Sequence, residues 1–265
     1  PTMLFEEVKI DGKWMKGPVI SNHYGHWDTE CLVFGMNPVA GDHYATYYKA
    51  MARVEQILEK GVFPEQPYAE VAATRAPVKD VILRGDEIDL DALPILQTWP
   101  QDGGRYLTLP MVITRDPKTG GRNVGMYRVQ VQGKRELAMH WQRHKSGAAH
   151  WREMAERGET MPVVIAIGGD PASVYSGSAP LPPAIDEFLF AGFLRREPVE
   201  LAKALTCDLD VPAEADIVIE GYIDPKEALV MEGPFGDHTG FYSLADLYPR
   251  LHVTAVTMKK QPTYI

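Results

Sequence analysis

Cysteine is almost absent from this chain of 265 residues, since only Cys31 and Cys207 occur and they form no CxxC pair. Two isolated thiols are typical of a protein in a reducing compartment, and they exclude a zinc site built from thiolates. No apolar run approaches the roughly 18 residues that a membrane helix needs, and no signal-peptide pattern opens the sequence. We therefore expect a cytoplasmic protein with no integral membrane segment.

Positive charge is also scarce. Asp and Glu outnumber Lys and Arg by 36 to 27, which gives a formal net charge of −9. This balance argues against nucleic-acid binding, which needs clustered Lys and Arg, and against attachment to an anionic membrane surface. The glycine-rich patterns GxGxxG and GxxxxGK[ST] and the nucleophile motif GxSxG are missing as well. Dinucleotide, P-loop and α/β-hydrolase interpretations therefore lose their usual support.

The distribution of apolar residues and prolines predicts two parts. Apolar residues at helical spacing predict a helix from Asp42 to Lys60, with Gly61 as its C-cap. Prolines at 64, 67 and 77 then interrupt any regular pattern. We place the boundary there, with an N-terminal α+β unit at residues 1–64 and a second domain at residues 65–265.

Strand patterns dominate the second part. Two of them flank a turn-rich loop and predict a hairpin, three more follow, and two helical patterns interrupt them. These segments are Tyr106–Thr114 with Asn123–Gln132, then Pro162–Ile167, Asp216–Ile223 and Leu251–Met258, and the helices Ser146–Arg157 and Pro183–Leu194. Strands with few helices between them predict an α+β fold on a barrel-like sheet, and their irregular spacing argues against a doubly wound parallel sheet.

Two segments carry amide, cationic and imidazole groups. In Asn123–Arg128 (NVGMYR), a strand would place the amide and the guanidinium on opposite faces unless Gly125 forms a bulge. The alternative is a turn Asn and a surface Arg. In Met139–Gly147 (MHWQRHKSG), backbone N–H groups at a helix start beside Lys145 would form a phosphate cradle, with His140 and His144 as ligands or acid–base groups. A solvated helix start is the alternative there.

Two further segments carry carboxylates. In Pro180–Gly192, Asp186 and Glu187 suit the positive end of a helix dipole, but a carboxylate before so apolar a run is often partnered, for example by a metal. In Glu232–Gly240 (EGPFGDHTG), two carboxylates flank a tight turn. Paired carboxylates in an enclosed site raise the pKa of one of them, which makes a general acid at neutral pH. An acidic surface loop is the alternative.

Taken in order, these segments resemble the UbiD family of reversible, non-oxidative aromatic-acid decarboxylases, nearest to its hydroxybenzoate and polyprenyl-hydroxybenzoate branch. The resemblance runs from about Leu90 to the end of the chain and includes Gly168–Pro171, Cys207–Pro212 and Ile219–Tyr222. It implies a split β-barrel domain that binds prenylated FMN with a divalent metal, Mn²⁺ or Mg²⁺, and K⁺. Family members continue into a C-terminal α/β domain, and the first residue here is Pro. We therefore expect a fragment that lacks that domain.

The resemblance also implies roles for individual residues. The metal ligands would be Asn123, Glu187 and His140, and the catalytic network would be Arg128, Glu232 and Asp237. The full set of cofactor-binding positions is Asn123, Met126, Tyr127, Arg128, His140, Trp141, Gln142, Lys145, Ser146 and Glu187.

The implied reaction is the decarboxylation of a hydroxylated benzoic acid to CO₂ and an arene through a substrate–cofactor adduct. An aryl carbanion needs an electron sink that no side chain offers, and Asp237 would then protonate the ring carbon. A prenyl-FMN synthase would supply the cofactor, and the full-length protein would be a homo-oligomer. Two alternatives stay open. A non-catalytic flavin-binding module or subunit would not need Glu232 and Asp237, and a structural α+β subunit would need none of the four segments.

Overall fold

The computed structural model describes residues 2–60, 68–182 and 185–265. Within them, the strands are β1 (Met3–Ile10), β2 (Lys13–Ser21), β3 (Ala69–Glu70), β4 (Val81–Arg84), β5 (Tyr106–Leu107), β6 (Met111–Arg115), β7 (Arg122–Met126), β8 (Val129–Gly133), β9 (Glu136–Met139), β10 (Met161–Ile167), β11 (Glu200–Lys203), β12 (Asp210–Pro212), β13 (Ile217–Ile223), β14 (Val230–Glu232), β15 (Asp246–Tyr248) and β16 (Arg250–Met258). The helices are α1 (Trp27–Val33), α2 (His43–Lys60), α3 (Ser146–Arg157), α4 (Pro171–Ser176) and α5 (Glu187–Arg195). None of the helices in these ranges is both long and apolar enough to cross a membrane.

A curled antiparallel sheet of nine strands forms the body of the fold. Its order is β5-β8-β9-β16-β13-β10-β6-β7, and β4 joins it through β16. One edge of β16 has two partners, because Arg250–His252 pairs with β9 whereas Ala255–Met258 pairs with β4. The sheet divides at that point into a half-barrel. The predicted α+β fold on a barrel-like sheet is therefore confirmed.

Both faces of the central strands are buried, so the strands read as continuous apolar runs. On β10, Val163 and Ile165 face the half-barrel interior, while Val164 and Ala166 face a second core under α5. This alternation follows from the two-residue period of a strand. The second core fixes α5, and with it Glu187, against the sheet.

The N-terminal residues form a hairpin of β1 and β2 followed by α1 and α2. The helix predicted from Asp42 begins at His43, and Asp42 caps it because its Oδ1 accepts a hydrogen bond from the backbone N–H of Ala45 at 2.9 Å. The hairpin also contacts the second part, since the N–H of Ile20 donates to the carbonyl of Tyr264. The predicted boundary at residue 64 and the predicted C-cap Gly61 lie outside the described ranges.

Two predicted strands are each divided in the structure. The β6–β7 hairpin forms as expected, but Tyr106–Thr114 contains both β5 and β6, and Asn123–Gln132 contains both β7 and β8. Pro110 lies at the first break, where it offers no N–H to a ladder. At the second, the chain leaves the sheet after Met126.

The bulge considered at Gly125 does not form, since Arg122–Met126 pairs with β6 without a register shift. A side chain at Gly125 would collide with the ring of Tyr127, which explains the glycine. Helix α5 begins at Glu187, four residues later than predicted, because Asp186 is its cap and accepts a hydrogen bond from the N–H of Phe188 at 2.9 Å. The predicted first residue, Pro183, is not among the described residues.

Candidate functional site

A cleft of about 640 Å³ opens between the β6–β7 loop, the first turns of α3 and the segment before α5. Three residues of the predicted cofactor set line it, namely Asn123 on β7, Ser146 at the start of α3 and Glu187 at the start of α5. The structure therefore brings part of the predicted metal and phosphate site into one cavity.

An ion pair and a backbone hydrogen bond lock β7 against α5. Arg122 donates to Oδ2 of Asp186 from Nε at 3.0 Å and from Nη2 at 2.6 Å. The N–H of Val124 donates to Oε2 of Glu187 at 2.9 Å, across 63 positions of sequence. Because Asn123 lies between the two strand residues, these bonds hold it beside the helix start that carries Glu187.

The buried polar groups of Asn123 and Glu187 have fewer hydrogen bonds than they could make. Nδ2 of the Asn123 amide is buried without a hydrogen bond. Burial raises the pKa of the neighbouring Tyr127 phenol, and the N–H of Gly147 and the Asn123 amide offset only part of that effect. Burial raises the pKa of Glu187 to about 7, and the hydrogen bond from Val124 offsets only part of this effect. Amide and carboxylate oxygens are the ligands that Mg²⁺, Mn²⁺ and Ca²⁺ prefer, so the pair fits a hard divalent cation.

His150 is a residue of this cleft that sequence reasoning missed. It lies on α3 with its Nδ1 3.0 Å from Oγ1 of Thr114, and burial lowers the pKa of its imidazole. Ser146 and His150 are four residues apart on one helix, so they share a face. That spacing is the signal that would have identified it.

A second group of predicted residues forms a buried charged cluster: Arg128, Glu232 and His140. Arg128 donates to Glu232 from Nε at 2.9 Å and from Nη2 at 3.1 Å, and Nδ1 of His140 lies 2.8 Å from the same carboxylate. Glu232 has no exposed side-chain surface. The guanidinium also stacks over the ring of Phe235, with its carbon 4.6 Å from the ring centroid.

The partners of Glu232 determine its charge. Burial by itself would raise the pKa of this carboxyl, but the hydrogen bonds from His140 and Arg128 outweigh burial, and the pKa lies below its ordinary value. Glu232 is therefore ionised at neutral pH. It can hold its two partners in place, but it has no proton to donate.

His140 does not line the cleft that contains Asn123 and Glu187, since its Nδ1 faces Glu232 and its ring lies 4.5 Å from that of Tyr248. Its assignment as the third metal ligand stays a prediction.

Asp237 lies on the loop after β14. Its side chain is 35% exposed and its Oδ1 lies 3.0 Å from Nδ1 of the neighbouring His238. Ser243 links this loop to the charged cluster, because its Oγ accepts from Nη2 of Arg128 at 3.0 Å and from the N–H of Phe235 at 3.1 Å. The structure thus connects Asp237 to Arg128 through the loop and not by a direct hydrogen bond.

The remaining predicted cofactor residues divide into buried and exposed ones. Tyr127 and Trp141 are buried in the half-barrel core with their rings 6.4 Å apart, and Met126 binds the carbonyl of Gly177 through its N–H at 2.9 Å. Gln142, Lys145 and Ser146 are exposed at the start of α3. The side chain of Lys145, the residue before this helix, does not cap it, and the N–H of Gly147 donates to the hydroxyl of Tyr127 at 3.4 Å. The N–H of Ser146, at the exposed start of the helix, is the group that can meet an anion.

The model of the 3-octaprenyl-4-hydroxybenzoate carboxy-lyase Rift-related domain, the UbiD model, matches residues 69–265. The chain belongs to the UbiD family. This confirms the family that the sequence motifs indicated.

Solved structures of UbiD-class enzymes agree in fold. An evolved dimeric form of HmfF from Pelotomaculum thermopropionicum, in complex with prFMN, is 31% identical with a TM-score of 0.86, over 99% of this chain and 57% of that one. Vanillic acid decarboxylase from Sedimentibacter hydroxybenzoicus, in its closed form, is 29% identical with a TM-score of 0.87, over all of this chain and 54% of that one. An uncharacterized protein of Aquifex aeolicus is 56% identical over 191 residues, which are 72% of this chain and 39% of that protein. The chain thus spans well under half the length of the curated relatives that it matches.

Proposed function

We propose that this UbiD-family chain is the flavin-binding part of a reversible, non-oxidative decarboxylase that acts on an aromatic acid, of the hydroxylated benzoic class, with prenylated FMN. The observation that carries the proposal is the buried cluster of Arg128, Glu232 and His140. Desolvating a carboxylate and a guanidinium is expensive and often contributes no net stability. A module that only stored a flavin would have no use for such a cluster, whereas a decarboxylase needs fixed charges near the reacting carboxylate.

The cleft supports the cofactor assignment. Asn123 and Glu187 would hold Mn²⁺ or Mg²⁺, with His140 as the predicted third ligand, and K⁺ is expected from the family. The backbone N–H and the hydroxyl of Ser146, at the start of α3, would bind the cofactor phosphate. When bound, prenylated FMN would supply the electron sink that no amino-acid side chain provides.

Arg128 would position the substrate carboxylate. A guanidinium has five N–H donors, and the hydrogen bonds to Glu232 and Ser243 use Nε and Nη2. The two N–H groups of Nη1 are then left to bind a carboxylate. Glu232, which is ionised, would keep the guanidinium in this orientation.

Asp237 would donate the proton that replaces CO₂ on the ring. Its partial exposure would allow the carboxyl to regain a proton from solvent after each turnover. The reverse reaction would return that proton to the same carboxyl. The arrangement therefore suits exchange of the product's ring hydrogen with solvent.

The experiment is a decarboxylation screen with hydroxylated benzoates, on full-length protein co-produced with a prenyl-FMN synthase. We expect turnover and H/D exchange of the product by the loaded wild type. Asp237→Asn should bind the cofactor normally but lose on the order of 10²-fold or more in both rates, the usual scale for a general acid. His238→Gln, which changes the neighbour but keeps the carboxyl, is the matched control and should stay active.

Two results would count against the proposal. Loaded wild type without turnover or exchange on any aromatic acid would favour the non-catalytic flavin module. Unchanged turnover in loaded Asp237→Asn would remove that residue from the mechanism.

We also propose that the whole protein is a homo-oligomer that receives its cofactor from a prenyl-FMN synthase. Apolar side chains on the loop after Asp237 support a covered surface, since Phe241 is 77% and Leu244 is 90% exposed in this chain. Such large exposed apolar groups in one segment are typical of contact surfaces. Light scattering of the full-length protein tests the assembly.

A further inference from the structure

Three side chains of types that can bind a metal meet in the N-terminal unit, and none of them lines the cleft. His26 and Asp28 lie at the start of α1, and His43 is the first residue of α2. Each offers one ligand atom, and these atoms all lie within 4.8 Å of one another. Nδ1 of His26 is 3.5 Å from Oδ2 of Asp28, and Nδ1 of His43 is 3.7 Å from Oδ1.

The carboxylate of Asp28 is incompletely satisfied. Its Oδ1 is shielded from solvent and accepts no hydrogen bond, since 3.7 Å to the nitrogen of His43 is too long for one. A shielded carboxylate oxygen without a partner costs free energy, and a cation would remove that cost. Nδ1 of His26 accepts a hydrogen bond from the N–H of Asp28 at 3.2 Å, so its lone pair is unprotonated and directed toward Asp28. A metal bound at this nitrogen would replace that hydrogen bond.

Helix electrostatics explain the acid but not the imidazoles. A carboxylate in the first turn of α1 is stabilised by the positive end of the helix dipole. The imidazoles of His26 and His43 lie at the starts of two different helices, and the fold brings their ring centroids to 4.7 Å from each other. Two imidazole nitrogens beside a carboxylate oxygen are a ligand set that divalent transition metals accept.

We propose that His26, Asp28 and His43 bind a divalent transition-metal ion of the Zn²⁺ type. Two imidazole nitrogens and one carboxylate oxygen suit Zn²⁺, whereas Mg²⁺ and Ca²⁺ prefer oxygen alone. Ligand atoms of a tetrahedral Zn²⁺ lie about 3.4 Å apart, so small side-chain rotations close the observed separations. His43 is exposed, which leaves the fourth position to water. The ion would tie the start of α1 to the start of α2.

The experiment measures metal affinity and not catalysis, so its result is independent of the decarboxylase proposal. The chain is stripped with a chelator and titrated with Zn²⁺ alone, and Co²⁺ reports the ligand geometry by its visible absorption. All titrations use a Glu187→Gln background, because the cleft is itself expected to bind a divalent cation. His43→Gln is the main variant, since this side chain is 62% exposed and caps no helix.

We expect one Zn²⁺ per chain and a higher melting temperature with the metal. His43→Gln and Asp28→Asn should each lower the affinity roughly tenfold or more, which is at least the cost of losing an outer-shell partner. The control is His252→Gln. His252 also pairs with a carboxylate, that of Glu227 at 2.7 Å, but within residues 2–60, 68–182 and 185–265 it belongs to no group of three possible ligands. The control variant should bind Zn²⁺ like its parent.

The proposal is overturned if folded His43→Gln and Asp28→Asn bind Zn²⁺ as tightly as their parent. It is also overturned if the Glu187→Gln background alone abolishes binding, since the metal would then belong to the cleft. Circular dichroism establishes that each variant is folded, and His43→Gln alone suffices if Asp28→Asn is not.

Discussion

Replacing Arg128 by methionine should destabilise the chain far more than the loss of a surface ion pair. Glu232 is fully buried, and the Arg128 side chain is only 13% exposed. Without the guanidinium, the carboxylate would remain in the interior with His140 as its remaining side-chain partner. Removing one partner of a buried pair typically costs about 3–5 kcal/mol of unfolding free energy. The lost stacking on Phe235 adds about 0.5–2 kcal/mol.

Glu232→Gln should cost less, about 1–3 kcal/mol, because the amide keeps the shape and Arg128 reaches some solvent. The double variant should then be more stable than the sum of the single changes implies, by about 1–3 kcal/mol. This difference is the coupling energy between the two residues. It is measured by urea unfolding of the wild type, the two single variants and the double variant, followed by circular dichroism at neutral pH. Lys118→Met is the control, since its exposed ion pair with Glu153 should contribute at most about 1 kcal/mol. Single-variant costs that add within about 0.5 kcal/mol would refute the reasoning.

Two further predictions concern the cleft and the strand beside it. Gly125→Ala should lower the free energy of unfolding by about 1–3 kcal/mol, because the new methyl collides with Tyr127. The control is Gly133→Ala, since nothing lies within 4 Å of the carbon added there. Equal urea midpoints of the two variants would contradict the packing argument. Glu187→Gln should weaken Mn²⁺-dependent FMN binding roughly tenfold or more, as loss of a ligand costs at least as much as loss of an outer-shell partner. Flavin fluorescence titrations with and without Mn²⁺ check this, and an unchanged Mn²⁺ effect would remove Glu187 from the metal site.

Elements whose signals are local could be predicted closely from the sequence. Helix α3 has the predicted bounds, and Gly158 ends it in the left-handed conformation with φ of 68°. Such caps depend on a few adjacent residues. The breaks within Tyr106–Thr114 and Asn123–Gln132 depend instead on where the chain leaves the sheet, which strand propensity does not encode.

The candidate site shows the same division. Family motifs indicated Glu232 and His140 separately, but their contact joins residues 92 positions apart and no spacing rule predicts it. The spacing of His150 from Ser146 on α3 is visible in the sequence, but its contact with Thr114 on β6 is not. Asp28 and its two histidines lie outside the region covered by the resemblance, so only the fold brings them together.

The double pairing of β16 determines the order in which this sheet can be built. The strand follows all three of its partners in the sequence. It pairs with β13, with β9 and with β4, whose residues Val81–Arg84 are synthesised much earlier. Pairings between such distant segments close large loops, and chains dominated by them fold slowly. Until β16 has been synthesised up to Met258, β4, β9 and β13 each have an edge that lacks its β16 partner. Unpaired strand edges are templates for aggregation. The half-barrel therefore cannot assemble fully before β16, the strand at which its sheet divides, has been synthesised.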